Sequence, residues 1–159
     1  MRVRPAEKSD ADIVISLYQQ FGSYVQELSP NISIAEGLFD AERYRADGFG
    51  ENPAFWALIA EEGNEAVGYL LYYFGYDSQC AYRTMHLVDL YVAEKHRSHG
   101  VGREFMKRAK EICTKSNVKE IVWSVYKPNR GAREFYDKLG AKLDDDAHYM
   151  YLEVEKLKA

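Results

Sequence analysis

The sequence predicts one domain of the mixed α/β class, and three observations support this prediction. Segments with the two-residue alternation of β-strands and segments with the apolar spacing of helices follow one another along the chain. The length of 159 residues is about that of a single domain with one core. Apolar residues make up 47% of the chain and charged residues 29%, a balance typical of globular proteins. We therefore expect a single domain over residues 1–159.

The first half of the chain is predicted to contain a short strand, two helices and a hairpin. Residues 1–5 alternate like an edge strand, in which Pro5 is tolerated near the end. Ser9 or Asp10 can cap the first helix, because apolar residues recur at helical spacing after them. The segments that follow are, in order, a second helix (34–46), a loop rich in turn formers (47–53) and the two strands of an antiparallel hairpin (55–61 and 66–76).

The second half alternates predicted strands and helices. A strand is expected over 83–92, and a polar, glycine-bearing segment, 94–102, follows it. The remaining elements are, in order, a helix that ends near Asn117, a strand (120–125), a helix that opens at Pro128-Asn129 and stops at Gly140, and a closing strand (148–155).

The bulk properties argue against several classes of partner. A net charge of −4 supplies no basic face for nucleic acid and suits a cationic or neutral partner slightly better. The start of the chain lacks an apolar leader and no long apolar run occurs, so we expect a cytoplasmic protein that does not span a membrane. Cys80 and Cys113 lack CxxC spacing, which favours two reduced, buried thiols and no metal site.

The segments Leu90–Val92 and Arg97–Gly102 form a predicted junction of strand, tight loop and helix. The first N–H groups of a helix lack intrahelical acceptors and lie at the positive end of its dipole, which favours a pyrophosphate. Gly100 and Gly102 would let the backbone approach phosphate oxygens closely. A G-x-G pair also occurs in ordinary strand-to-helix turns, so the junction alone leaves both interpretations open.

Two blocks of residues together resemble a known family. RSHGVG at 97–102, after LVDLYV at 87–92, resembles the R/Q-x-x-G-x-G/A signature of the GNAT acetyltransferase superfamily. The second block of that family, N-x-x-A-x-x-F-Y-x-x-x-G, is matched by Asn129, Ala132, Phe135, Tyr136 and Gly140.

The resemblance spans essentially the full chain. It implies a mixed sheet of six or seven strands that splays after its fourth strand, about four flanking helices, acetyl-CoA in the gap, and a homodimer.

The resemblance also implies roles for individual residues. The backbone of Leu90, Tyr91 and Val92 would lie along the pantetheine arm, as if acetyl-CoA were an added strand. The N–H of Tyr91 or Val92 would stabilise the oxyanion of the tetrahedral intermediate. Asn129 would bind the pantetheine or thiol region, and Tyr136 would stand beside the sulfur as general acid. The residues implied to hold the pyrophosphate are Arg97, Ser98, His99, Gly100, Val101, Gly102 and Arg103.

A closer likeness concerns the acceptor. The segments 47–50 (DGFG) and 72–77 (YYFGYD) resemble those of the diamine acetyltransferases, which act on spermidine, spermine or thialysine-like amines. Asp77 and Asp89 are carboxylates near predicted strand ends that border the same cleft, where they can hold an ammonium group. The alternatives are a solvated turn for Asp77 and a structural hydrogen bond for Asp89.

The chain departs from that subfamily at one position, because Val88 stands where the subfamily has a glutamate. The candidate bases are therefore Asp89, His86 or a relayed water, although a lone strand histidine is more often structural. We expect an acetyl-CoA-dependent N-acetyltransferase that acts on a small cationic amine by direct attack in a ternary complex, without a metal. A protein lysine or N-terminal acetyltransferase and a non-catalytic acyl-CoA-binding module are the competing hypotheses.

Overall fold

The computed structural model describes residues 1–30, 37–147, 150 and 152–156. The chain divides into two compact units, Met1–Ser124 and Val125–Ala159. The mixed α/β class is confirmed, with five strands and four α-helices among the described residues. Within this described part, no helix has the length and apolar character that a membrane span requires.

The first unit is built on a mixed sheet whose described strands lie in chain order. Antiparallel pairing joins the first four strands, and the last pair is parallel. The strands are β1 (Arg2–Pro5), β2 (Trp56–Glu62), β3 (Glu65–Asp77), β4 (Tyr82–Val92) and β5 (Val118–Val122).

Helices cover both faces of this sheet. On one face, α1 (Ala11–Leu28) and α2 (Ala41–Gly48) enclose a core that includes the fully buried Tyr69. On the other face, α3 (Val101–Lys115) buries Phe105 against β2, β3 and β4. Burial of large apolar side chains on both faces is the main driving force for this layered arrangement.

A bulge and an early end to pairing shape β4. The register of β3 with β4 shifts between the Tyr72–Leu87 and Leu71–Asp89 pairs, which leaves Val88 as the extra residue. Pairing of β4 with β5 ends at His86, opposite Val122. No described strand pairs with Leu87–Val92 on that side, and we call this segment the open edge. The predicted splay after the fourth strand is therefore present.

Three sequence expectations differ from the described structure. The second helix begins at Ala41 because Asp40 caps it, with Oδ1 accepting from the N–H of Arg43 at 2.8 Å; Gly37–Asp40 is not helical, and 34–36 lie outside the described residues. β5 ends at Val122, three residues earlier than predicted. Cys113 is buried as expected, but Cys80 is exposed in the turn between β3 and β4.

The second unit contains α4 (Arg130–Asp137), followed by Gly140 at a φ of +85°. The predicted strand 148–155 falls partly on residues outside the described ranges. Its described end is not a strand, because Val154–Lys156 forms a short 3-10 helix.

Candidate active site

In the open edge, the backbone N–H and C=O groups of two residues point away from β3. The N–H of Ala93 donates to the carbonyl of Val67 at 2.9 Å. Hydrogen-bonded and non-hydrogen-bonded pairs alternate along an antiparallel ladder. The backbone of Tyr91 therefore also forms hydrogen bonds with β3, whereas the N–H and C=O groups of Leu90 and Val92 point to the opposite side, where no described strand pairs with β4. This corrects one expectation: the N–H of Tyr91 is directed at Tyr69, and the donors available at the edge are those of Leu90 and Val92.

The turn after β4 leads directly into an uncapped helix. Ser98 and Gly100 both adopt left-handed backbone angles, with φ values of +64° and +86°. Gly100 is the N-cap residue of α3 and offers no side-chain cap, so Val101, Gly102 and Arg103 keep N–H groups without intrahelical acceptors. No described atom lies within 4 Å of where a Cβ on Gly100 would be. Such a concave set of N–H groups at a helix start suits an anion.

Three side-chain contacts, none of them predicted from the sequence, hold the segment between β4 and α3. Arg97 donates from Nε to the carbonyl of Val92 at 3.0 Å, and its guanidinium lies over the ring of Tyr24 of α1, 4.4 Å from the centroid. The imidazole Nδ1 of His96 lies 3.0 Å from a carboxylate oxygen of Glu62 at the end of β2. The contacts with Tyr24 and Glu62 have no signal in the sequence, because each joins the turn to a distant element.

Asp89 is half-buried on the face of the sheet that α1 covers. The hydroxyl of Tyr69 donates to its Oδ2 at 3.2 Å. This bond stabilises the carboxylate, but removal from solvent outweighs it and raises the pKa of Asp89 to about 6. A carboxylate held out of water is a stronger base than an ordinary aspartate and remains charged at neutral pH. Asp89 thus has both a structural hydrogen bond, with Tyr69, and a raised pKa.

His86 shares this face of the sheet with Asp89. Their partners on β3, Tyr73 and Leu71, are two residues apart and so point to the same side. The His86 ring stacks on Tyr73 with centroids 4.7 Å apart, and its Nε2 lies 3.0 Å from Oγ1 of Thr84. A Cβ on Gly75 would lie 2.7 Å from this Nε2, so glycine is what admits the imidazole there. A stacked and hydrogen-bonded ring is more consistent with positioning than with a freely accessible base.

Asp77 is not brought together with Asp89. Its Oδ1 accepts from the N–H groups of Gln79 and Cys80 at 2.8 and 2.9 Å, which forms the turn between β3 and β4. Asp77 lies six residues along β3 from Leu71, the partner of Asp89, and this corresponds to about 20 Å. The expectation that both carboxylates border one cleft is therefore wrong, and the turn accounts for Asp77.

The second unit carries the other predicted site residues. Asn129 caps α4, with its Oδ1 accepting from the N–H of Ala132 at 3.0 Å. Tyr136 packs against Phe135 with ring centroids 5.0 Å apart, and burial raises the pKa of its hydroxyl to about 12. The amide oxygen of Asn129 thus caps the helix, and its role in acetyl-CoA binding stays a prediction.

Within the described ranges, no group of three or more His, Cys, Asp or Glu side chains is arranged to hold a metal ion.

Comparison with known proteins agrees with this architecture. Residues 15–141 match the model of the "Acetyltransferase (GNAT) family". The chain is 33% identical to a thialysine N-epsilon-acetyltransferase of Mus musculus over 149 residues, which cover 89% of this chain and 84% of that protein. It is 31% identical over 152 residues to the human spermidine/spermine N(1)-acetyltransferase-like protein 1, covering 88% of this chain and 20% of that protein.

A solved structure shows the same fold. A tetramutant protein of Bacillus halodurans superimposes with a TM-score of 0.80 at 23% identity, covering 96% of this chain and all of that one. The family match spans most of the sequence, and the relatives are named as N-acetyltransferases. The chain therefore belongs to the GNAT family and is an N-acetyltransferase.

Proposed function

We propose that this enzyme transfers the acetyl group of acetyl-CoA to the amino group of a small cationic amine, such as a polyamine or a thialysine-like compound. The observation that carries the proposal is that β4 and the turn after it combine an open backbone edge, a half-buried carboxylate and an uncapped helix start. The edge and helix start suit the donor, and the carboxylate suits the acceptor.

The donor side fits acetyl-CoA in two places. Leu90 offers its N–H and C=O groups, and Val92 its N–H, to the amides of a pantetheine arm, as an added strand would require. The turn from Ser98 to Gly100 and the first N–H groups of α3 offer donors to a pyrophosphate. Both features belong to the first unit and lie on adjacent segments of the chain. When bound, acetyl-CoA supplies an activated thioester carbonyl.

The acceptor side is assigned to Asp89. Its carboxylate is ionised at neutral pH despite the raised pKa, and it lies out of water, where a charge-assisted hydrogen bond to an ammonium group is stronger than at the surface. Before attack, the ammonium must lose a proton. Because the pKa of an alkylammonium, about 10, lies well above that of Asp89, about 6, Asp89 holds the ammonium group while its proton passes to water. The neutral nitrogen then forms the bond to the acetyl carbon, the carbon–sulfur bond breaks, and the second proton of the nitrogen passes to water as the amide forms.

The backbone and Tyr136 complete the proposed mechanism. An N–H of Leu90 or Val92 stabilises the negative charge on the carbonyl oxygen. The resemblance assigns Tyr136 to the departing sulfur. Because the pKa of Tyr136 is about 12 and that of a thiol about 8.5, full proton transfer is uphill by about 5 kcal/mol. We therefore propose that Tyr136 donates a hydrogen bond to the thiolate, which water then protonates.

The names of the relatives support a cationic acceptor, since thialysine and spermidine both carry ammonium groups. Val88 separates this chain from the diamine acetyltransferases it resembles. Val88 is 52% exposed and precedes Asp89 in the chain, and we propose that the acceptor meets this apolar group where that subfamily has a second carboxylate. We infer a preference for amines that carry fewer charges than spermine.

Thiol release from acetyl-CoA, measured against spermine, spermidine, thialysine, lysine, an aminoglycoside and an N-terminal peptide, tests the proposal. We expect turnover with one of the small amines, and an increase in KM of at least tenfold for that amine in Asp89→Asn. Turnover with the peptide alone would favour a protein acetyltransferase. Absence of thiol release with every amine, despite tight binding of acetyl-CoA, would favour the binding module.

A further inference from the structure

We propose that Arg97 is a positioning residue that fixes the end of the open edge relative to the turn, and that it is not a phosphate ligand. The inference rests on the proposed use of acetyl-CoA. It starts from the hydrogen bond that Arg97 makes from Nε to the carbonyl of Val92. That carbonyl is one of the groups that face the open edge.

The bond closes a ring between the last residue of β4 and the first residue of the signature turn. Arg97 follows Val92 by five residues, and the 3.0 Å contact returns the chain to the strand end. The edge binds one part of an acetyl-CoA molecule and the turn binds another. Their separation must therefore match the spacing of the two groups on the ligand. A link between them sets this separation before the ligand arrives.

The guanidinium of Arg97 also lies over two aromatic rings. It lies 4.4 Å from the ring centroid of Tyr24 and 5.7 Å from that of Tyr91, and the residue is half-buried. Cation–π contacts of this kind help to hold an arginine side chain in one position. Tyr24 belongs to α1 and Tyr91 to β4, so the guanidinium joins a helix, a strand and a turn. Together with the Nε bond, these contacts give the side chain a structural role that needs no ligand.

Two acetyl donors separate positioning from phosphate binding. S-acetylpantetheine has the arm that would bind the edge but lacks the pyrophosphate, whereas acetyl-CoA has both. If Arg97 positions the edge, Arg97→Met lowers kcat/KM by a similar factor of about tenfold for both donors, because a hydrogen bond from a charged group is lost. If Arg97 binds phosphate, only acetyl-CoA is affected.

A lysine variant tests the same point with acetyl-CoA alone. Arg97→Lys keeps the positive charge but loses the planar group that stacks and the Nε donor. We expect it to be as impaired as Arg97→Met. Arg43→Met, which removes an exposed arginine of α2 paired with Asp47, is the matched control and should leave both donors unaffected.

The outcomes are distinguishable. A loss confined to acetyl-CoA, rescue by lysine, or unchanged kinetics in Arg97→Met would each overturn the inference while leaving the proposed function intact. If Arg97→Met does not fold, Tyr24→Leu removes one face of the arrangement and should lower kcat/KM for both donors about two- to fivefold. A wild-type enzyme that uses neither donor would instead refute the proposed function.

Discussion

Replacement of Asp89 by asparagine is expected to stabilise the fold at neutral pH, although it removes a residue proposed to act on the substrate. The wild-type carboxyl group is held out of solvent, and its pKa rises from the ordinary value of 3.8 to about 6. Charging this group in the folded state therefore costs free energy that the unfolded chain does not incur. Asparagine has nearly the same shape, and its amide oxygen can still accept from Tyr69.

The sign and size follow from the shift in pKa. Between pH 4 and pH 6 the unfolded state releases the proton before the folded state does, so the wild-type stability falls as the pH rises through this window. A shift of roughly two pKa units corresponds to about 3 kcal/mol, since each unit is about 1.4 kcal/mol. The difference in unfolding free energy between Asp89→Asn and wild type should accordingly be small near pH 4. Above pH 6 it should reach about 1–3 kcal/mol, the lower value applying if the site relaxes around the charge.

Urea unfolding of both proteins at pH 4, 5, 6 and 7.5 measures this difference, and the shared titration of other groups cancels. Asp77→Asn is the matched control. Asp77, at the end of β3, accepts two backbone hydrogen bonds, so its replacement should not stabilise the fold. A wild-type protein that is more stable than Asp89→Asn at pH 7.5, or a difference that does not vary with pH, would refute the reasoning about the buried carboxylate.

Three further predictions concern the donor, the thiolate and the acceptor. Gly100→Val, at a φ of +86°, should cost about 1–2 kcal/mol of apoprotein stability and abolish acetyl-CoA binding by calorimetry, whereas Gly100→Asn should fold normally; normal affinity in the valine variant would exclude the anion-binding turn. Tyr136→Phe should lower kcat about 10- to 100-fold, the effect of a lost hydrogen bond to a charged group, with little change in KM for acetyl-CoA; full kcat where chemistry limits turnover would exclude a role of the hydroxyl. Val88→Glu should raise kcat/KM for spermine over that for a monoamine, and an equal effect on both would argue against a role of this position in charge selection.

Local patterns were sufficient to predict most elements of the fold. The apolar spacing of α3 and the glycine at its start are both encoded within a few consecutive residues, and both are present. The second helix was predicted too long because its apolar positions run back across Gly37–Asp40. The N-cap preference of Asp40 was the available signal for its true start.

The geometry of the candidate site depends on register, which a single sequence does not reveal. Whether Tyr91 or Val92 faces the open edge depends on how β3 pairs with β4, and the bulge at Val88 has no local signature. The contact of Tyr24 with Arg97 likewise joins residues of distant elements. Asp77 was assigned to the acceptor because its residue type is suitable, but its carboxylate forms a turn.

Hydrogen exchange with and without acetyl-CoA tests the central claim most directly, because it reports which backbone N–H groups the ligand binds. We expect slower exchange at Leu90 and Val92 and across Ser98–Arg103, with no change at Tyr91, whose N–H already forms a hydrogen bond with β3. Unchanged exchange in both segments at saturating acetyl-CoA, or protection confined to other elements, would contradict it.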